Sequence, residues 1–336
     1  MDVKQQFQDA HAWAGEVRMY DRILPGAFLG GILLFLIYFV TLGAPTNVPS
    51  GTLIKISQGE TVAQAAELLK SKNLIRSTTI FEGILRLRYG TSANVVPGEY
   101  FFPGPQGLIT VARRLANGDY ELVPMRVTVP EGANTRQMGD LFNDKIPGFD
   151  EQDFLTKSAS KEGYLFPDTY FFLPGESADD VIQTMESNFT NQLGDPTVQK
   201  QVVAFGKPLS DIITMASILE KEGATTKDRR IISGILWKRI SLGMPLQVDA
   251  VFPYIIDKNS LQLTKTDLKT KSPYNTYTNK GLPPGPIASP SLDSILAAVN
   301  PTKSNYLYYL SDMHSQMHYS ATYAGQLANQ RKYLGS

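Results

Sequence analysis

Two carboxylates close the segment MASILEKEG (215–223): Glu220 and Glu222, one residue apart and directly before Gly223. A helix C-terminus carries partial negative charge and is a mildly unfavourable place for an anion. Two acids there are either a solvated helix end or an acid held for chemistry. On a wheel at 100° per residue, Ile212, Ile213, Met215, Ala216, Ile218 and Leu219 define an apolar direction. Glu222 falls about 60° from it and Glu220 about 100°, on the opposite side. Glu222 is therefore expected near the buried edge, where desolvation raises a carboxyl pKa and keeps it protonated as a general acid. Glu220 is expected to face water. On the wheel alone, the solvated helix end is the commoner outcome for such a pair.

Two later stretches shift that balance. LQVDAVFPY (246–254) carries Gln247 and Asp249. A long loop rigidified by Pro and Gly (272–290) follows, studded with Tyr274, Asn275, Thr276 and Tyr277. Aromatic and amide side chains on a rigid loop suit carbohydrate: rings stack on sugar faces and amides bond hydroxyls. A structural Ω-loop would also use Pro and Gly but has less need of such a polar quartet.

Composition removes competing chemistries. Among 336 residues, 32 are basic and 32 acidic, so there is no overall cationic surplus for a nucleic-acid partner. There is no cysteine, which excludes disulfides, thiol catalysis and Cys-ligated zinc. The three histidines are His11, His314 and His318. No cofactor and no metal is expected.

The elements that must position these residues divide along the chain. Between Arg22 and Lys55 no residue is charged, and 23–44 is long enough to cross a bilayer core of ~30 Å as a helix. A polar segment (1–22) precedes it, unlike the short basic start of a cleaved signal peptide. Lys4, Arg18 and Arg22 lie before the span and no basic residue lies close after it. That asymmetry predicts a cytoplasmic N-terminus with the remainder outside the cytoplasm. His11 then lies across the membrane from His314 and His318, so the three share no site. A linker (45–52) leads to two weakly similar strand–turn–helix stretches, IKISQGETVAQAAELL and VTVPEGANTRQMGDLF. Beyond residue 150 helices and aromatic-rich loops dominate. GYLFPDTYFF (163–172) reads as core packing around a turn, and TTKDRRIISGILWKRISLG as an amphipathic helix with threonine caps and a glycine stop.

MASILEKEG, LQVD, SPYNTY, GLPPGPIASP and NPTKSNYLYYLSD, with VPEG and GYLFPDTY before them, stand in the order and spacing of the MltG (YceG-like) endolytic murein transglycosylases. From about residue 45 to the C-terminus the chain resembles that family. It departs at Asp249-Ala250-Val251, where the family usually has Asp-Pro-Thr, and at Lys238, where an Asn usually precedes the helix Arg. It departs again at Met317-His318-Tyr319-Ser320, where the family often reads His-x-Phe-Ser. The resemblance implies an α+β protein: one transmembrane helix (23–44), a small LysM-like βα module (53–122) and a mixed α+β catalytic domain (123–336). It implies cleavage of peptidoglycan glycan strands outside the cell, at the β-1,4 bond after N-acetylmuramic acid, leaving 1,6-anhydro ends. Cell-wall synthases or the elongation machinery would be its partners. The family's catalytic glutamate falls on Glu222, and Glu220, Gln247, Asp249, Tyr274, Asn275 and Tyr277 are the candidates for substrate contact. Two rivals stay open. One is an inverting hydrolase in which Asp249 or Glu220 activates water, and the other a peptidoglycan-binding scaffold without activity.

Overall fold

Apolar residues at strand and helix periods recur throughout the chain, and they fold into a mixed α+β architecture with three separate two-stranded antiparallel sheets among the described residues. The structure, a computed structural model, describes residues 28–29, 31–32, 35, 38–39, 41–49, 51–91, 93–258 and 262–335. The expected cytoplasmic segment (1–22) and much of the expected span (23–44) lie outside the described residues. Among the described residues no single helix is long and apolar enough to cross a membrane. The chain falls into two compact units, one ending at Val123 and the other beginning at Pro124.

In the first unit, β1 (Thr52–Ile56) pairs antiparallel with β2 (Gly98–Phe102), Ile54 opposite Tyr100. Between them lie α1 (Val62–Ser71) and α2 (Thr78–Tyr89), and α3 (Leu108–Asn117) follows. Each helix turns one stripe inward: Ala65, Ala66 and Leu69 from α1, Phe81 and Leu85 from α2, Val111 and Leu115 from α3. Arg114 is wholly buried, donating to the carbonyls of Phe101 and Asp119 and paired with Glu121 at 3.3 Å. Those bonds offset the cost of enclosing its charge.

The second unit opens with β3 (Met125–Thr128), antiparallel to β4 (Thr169–Phe172), with α4 (Thr135–Lys145) and α5 (Glu151–Ser158) between them. Phe142 meets Phe154 and Phe172 edge-on, at 5.2 and 5.8 Å, in their shared core. The similarity between the two strand–turn–helix stretches extends to atomic detail. Each has a glycine at positive φ (Gly59, Gly132) and then a reciprocal capping box, Thr61 with Gln64 and Asn134 with Gln137.

Next come α6 (Ala178–Gly194), α7 (Pro196–Phe205) and α8 (Leu209–Glu222). Every residue of α8 from Ile212 to Leu219 is buried, so this helix is the spine of the largest core. α9 (Thr226–Ser241) packs against it, and so does α11 (Leu292–Val299), which comes after the short α10 (Phe252–Ile256) and the long loop. The chain ends with β5 (Tyr308–Ser311), antiparallel to β6 (Met317–Ser320), and α12 (Tyr323–Tyr333).

Candidate active site

Glu222 is the last residue of α8. The glycine that follows it is required by close approach. A Cβ on Gly223 would stand 2.6 Å from Arg229 Cγ and 2.9 Å from the Arg229 amide nitrogen, in the first turn of α9. Thr225 caps that helix by accepting from the Asp228 amide. The sharp α8–α9 turn therefore leaves the Glu222 side chain at the edge of the apolar core.

The Glu222 carboxyl keeps a little solvent contact, yet protein atoms enclose it closely. Burial pushes its pKa up to about 7. The Tyr309 hydroxyl works against that shift, donating to Oε2 at 2.9 Å. The negative charge of Asp249 raises it further, and a long 3.4 Å bond from the Ala250 amide to Oε1 lowers it slightly. A carboxyl balanced in this way holds a proton near neutral pH and can also survive as the anion once the proton has left. Tyr309 remains a donor throughout, because burial and the neighbouring Glu222 push its hydroxyl well above the usual tyrosine range.

Asp249 stands at the start of a single 3₁₀ turn (Asp249–Val251), and its Oδ1 accepts from the Tyr277 hydroxyl. Thr276 holds this segment in place: its hydroxyl accepts from the Val248 amide at 3.0 Å, and its carbonyl takes the Gln247 amide at 3.1 Å. Gln247 is thereby kept at φ +50, a left-handed conformation sparsely used outside glycine, with its side chain exposed. Glu222, Asp249 and Tyr277 are thus brought together, and Gln247 lies two positions before Asp249 in the chain.

Two expectations are corrected. Glu220 does not face water, since its side chain is only 5% exposed. Oε1 pairs with Arg229 at 3.2 Å, and Oε2 accepts from both the amide and the hydroxyl of Ser291. Ser291 is the N-cap of α11, so Glu220 joins the end of α8 to two other helices. The wheel registers only the apolar side of α8; Arg229 and Ser291 approach from another side and bury the acid through polar contacts. Asn275 does not offer its amide to a ligand either. It is fully buried, its Nδ2 donates to the carbonyls of Leu268 and Thr270, and its Oδ1 accepts from the Tyr277 amide. A loop without secondary structure must satisfy its own backbone groups, and Asn275 does so. Tyr274 stays partly exposed, its ring 5.0 Å from that of Tyr254.

Tyr309 and Arg239 were not among the expected site residues. Tyr309 lies 87 positions beyond Glu222, and nothing in the run NYLYYLSD sets it apart from the tyrosines beside it. Arg239, 5% exposed, donates Nε to the Leu307 carbonyl and Nη1 to the Leu246 carbonyl, each at 2.7 Å. It therefore anchors both the segment that carries Asp249 and the strand that carries Tyr309. His318 lies on β6, bonded to Asp312 at 2.8 Å and stacked on Tyr333. Among the described residues no group of three or more His, Cys, Asp or Glu side chains is placed to hold a metal.

Residues 54–332 match the YceG-like family. The sequence is similar to the endolytic murein transglycosylase of Bacillus subtilis, 29% identical over 345 positions that cover 94% of this chain and 92% of that protein. It is also similar to the endolytic murein transglycosylase of Streptococcus pneumoniae, 27% identical over 301 positions, covering 77% of this chain and 54% of that one. Its fold is similar to the crystal structure of a yceG-like protein from Listeria monocytogenes. The TM-score is 0.56 at 25% identity, over 83% of this chain and 98% of that chain.

Proposed function

The chain belongs to the YceG-like family, and from that premise we propose that it is an endolytic murein transglycosylase with Glu222 as its single acid/base. One observation carries the assignment: the enclosed Glu222 carboxyl, raised to about 7 by burial and held by the Tyr309 hydroxyl. The bond cut is the β-1,4 bond after N-acetylmuramic acid within a strand. Glu222 gives its proton to the glycosidic oxygen as the C1–O bond breaks. The resulting carboxylate, supported by the Tyr309 hydroxyl, takes the proton of the muramic 6-hydroxyl as that oxygen closes on C1. A 1,6-anhydro ring forms, Glu222 is again an acid, and no water is consumed. One carboxyl suffices because the nucleophile belongs to the substrate, unlike the paired carboxylates of ordinary glycosidases. Asp249, held by Tyr277, supplies negative charge beside the reacting centre, and Gln247 and Tyr274 offer side chains to the strand. Both Glu220 oxygens are engaged by Arg229 and Ser291, which argues against Glu220 as a base for water.

The strand–helix–helix–strand arrangement of the first unit supports the reading of 53–122 as a LysM-like, peptidoglycan-binding module. The described residues between 28 and 41 are helical, with Phe28, Leu29, Phe35, Tyr38 and Phe39 more than half exposed. Large apolar side chains left open on a helix support an anchor at 23–44 in the membrane, with the second unit outside the cytoplasm. A reporter fused after Ser336 should then be active only outside the cytoplasm; activity in the cytosol would overturn that topology. For the reaction, peptidoglycan sacculi digested with the purified chain are examined by mass spectrometry. Ends lighter by one water, lost entirely in Glu222→Gln, are the expected result. Reducing ends would mark a hydrolase, and undigested sacculi a scaffold.

A further inference from the structure

A second carboxyl on the catalytic side of the chain is buried without being fully used. Glu162 is 7% exposed. Its Oε2 accepts from the amide of Thr135 at 3.1 Å and from the Thr135 hydroxyl at 2.9 Å, holding the first turn of α4. Its Oε1 is buried and no donor among the described residues reaches it with hydrogen-bond geometry, the nearby Gly163 amide being poorly aligned for one. Leaving such an atom unpaired is costly unless something else fills the role. Glu162 lines a cavity of about 260 Å³ together with Tyr164, Tyr254, Tyr274, Ser210 and Thr214. The rings of Tyr254 and Tyr274 lie 5.0 Å apart, and no lysine or arginine contributes to the wall.

That lining selects its ligand. Without a basic side chain it does not suit an anion. A carboxyl oxygen with no donor asks for an O–H or N–H, hydroxyls at Ser210 and Thr214 exchange hydrogen bonds with a polyol, and tyrosine rings cover the C–H face of a pyranose. A second cavity, of about 320 Å³, shares Ser160 and Tyr164 with the wall of the first. Two covalent links tie it to the reacting acid. Thr214 and Glu222 are both on α8, eight residues apart, which is roughly 12 Å along the axis. Tyr274 belongs to the same loop as Tyr277, which holds Asp249.

We propose that the Glu162–Tyr254–Tyr274 cavity is a distal sugar subsite that binds an uncharged pyranose of the glycan strand away from the bond being cut. It rests on the reading of the chain as a murein transglycosylase and adds to it a place where an uncut part of the strand is gripped, as cleavage within a strand requires. Glu162 accepts a sugar hydroxyl on Oε1 while Oε2 stays on Thr135.

The test uses the full chain carrying Glu222→Gln, so that binding is read without turnover. Peptide-free glycan strands are titrated by calorimetry against this protein and against the same protein with Ser160→Trp, Tyr254→Phe or Glu162→Gln added. Ser160 is exposed at the mouth of the cavity, so Ser160→Trp obstructs it without entering the core. Glu162→Gln keeps an oxygen for Thr135. Strand affinity should fall about tenfold in each, by obstruction in Ser160→Trp and by the loss of roughly one hydrogen bond in the other two. Strand affinity indifferent to Ser160→Trp in a protein of wild-type melting temperature overturns the subsite, even if the wild-type chain cuts sacculi. Strand binding that depends on these residues in a chain yielding no anhydro ends would keep the subsite and sink the transglycosylase reading. No strand binding at all would sink both.

Discussion

Glu222→Gln should abolish cleavage and, above neutral pH, make the protein more stable. In the folded chain the carboxyl titrates at about 7, against 4.5 for the free side chain. Each unit of difference corresponds to about 1.36 kcal/mol, so the folded state penalises the Glu222 anion by about 3 kcal/mol. Below the unfolded value both states hold the proton and there is no penalty. As pH rises from there to about 7, the unfolded chain releases a proton that the native chain keeps, and stability falls. Above the folded pKa the full penalty applies. Glutamine never ionises and escapes it, but its amide can satisfy only one of the two donors, Tyr309 or Ala250, at a cost of about 1 kcal/mol. The variant should therefore be about 1 kcal/mol less stable than the parent at pH ~4 and about 2 kcal/mol more stable at pH ~8. Urea denaturation of both proteins across that range measures it. Trp237 fluorescence in a Trp13→Phe background keeps the probe in the second unit. Because other titrating groups are common to both proteins, they cancel in the difference. A difference that stays flat between pH ~4 and ~8, or that falls as pH rises, would refute the claim that burial holds Glu222 as an acid.

Three other outcomes follow from the same contacts. Tyr309→Phe removes the donor to Oε2, so the Glu222 pKa rises further and the alkaline limb of kcat/KM against pH should move up by about one unit; a limb that stays in place while stability drops would make Tyr309 merely structural. Glu220→Gln breaks a buried ion pair and should cost about 2–3 kcal/mol in denaturant melts, while the folded protein keeps most of its kcat; a stable but inactive Glu220→Gln would show that the wrong acid has been assigned. Asn275→Ala loses three hydrogen bonds within its own loop and should lower stability by about 2–3 kcal/mol, whereas Tyr274→Ala should weaken glycan cleavage much more than it lowers the melting temperature; equal losses of folding and activity in Tyr274→Ala would return that loop to a purely structural role.

What could be read along the chain was whatever depends on near neighbours. The apolar run before Glu222, the two strand–turn–helix stretches, and the threonine caps and glycine stop of α9 are local, because helix and turn preferences act over three or four residues. The wheel could rank Glu222 nearer the core than Glu220, since rotation along one helix is itself local. It could not show how Glu220 is buried, because Arg229 and Ser291 arrive from α9 and α11 and no periodicity in α8 encodes them. Asn275 was misjudged for a related reason: a polar residue in a proline-rich loop looks the same whether it faces a ligand or its own backbone, and only the closed loop decides. Tyr309 and Arg239 mark the limit most clearly. The carboxyl pKa is set by a hydroxyl 87 residues away, and the two segments that frame it are fastened by one buried guanidinium to carbonyls 7 and 68 residues beyond it. Electrostatic environment depends on distance in space and on exclusion of water. The sequence alone therefore puts Glu222 forward as a candidate acid, and tertiary packing gives it a pKa at which it can both give and take a proton.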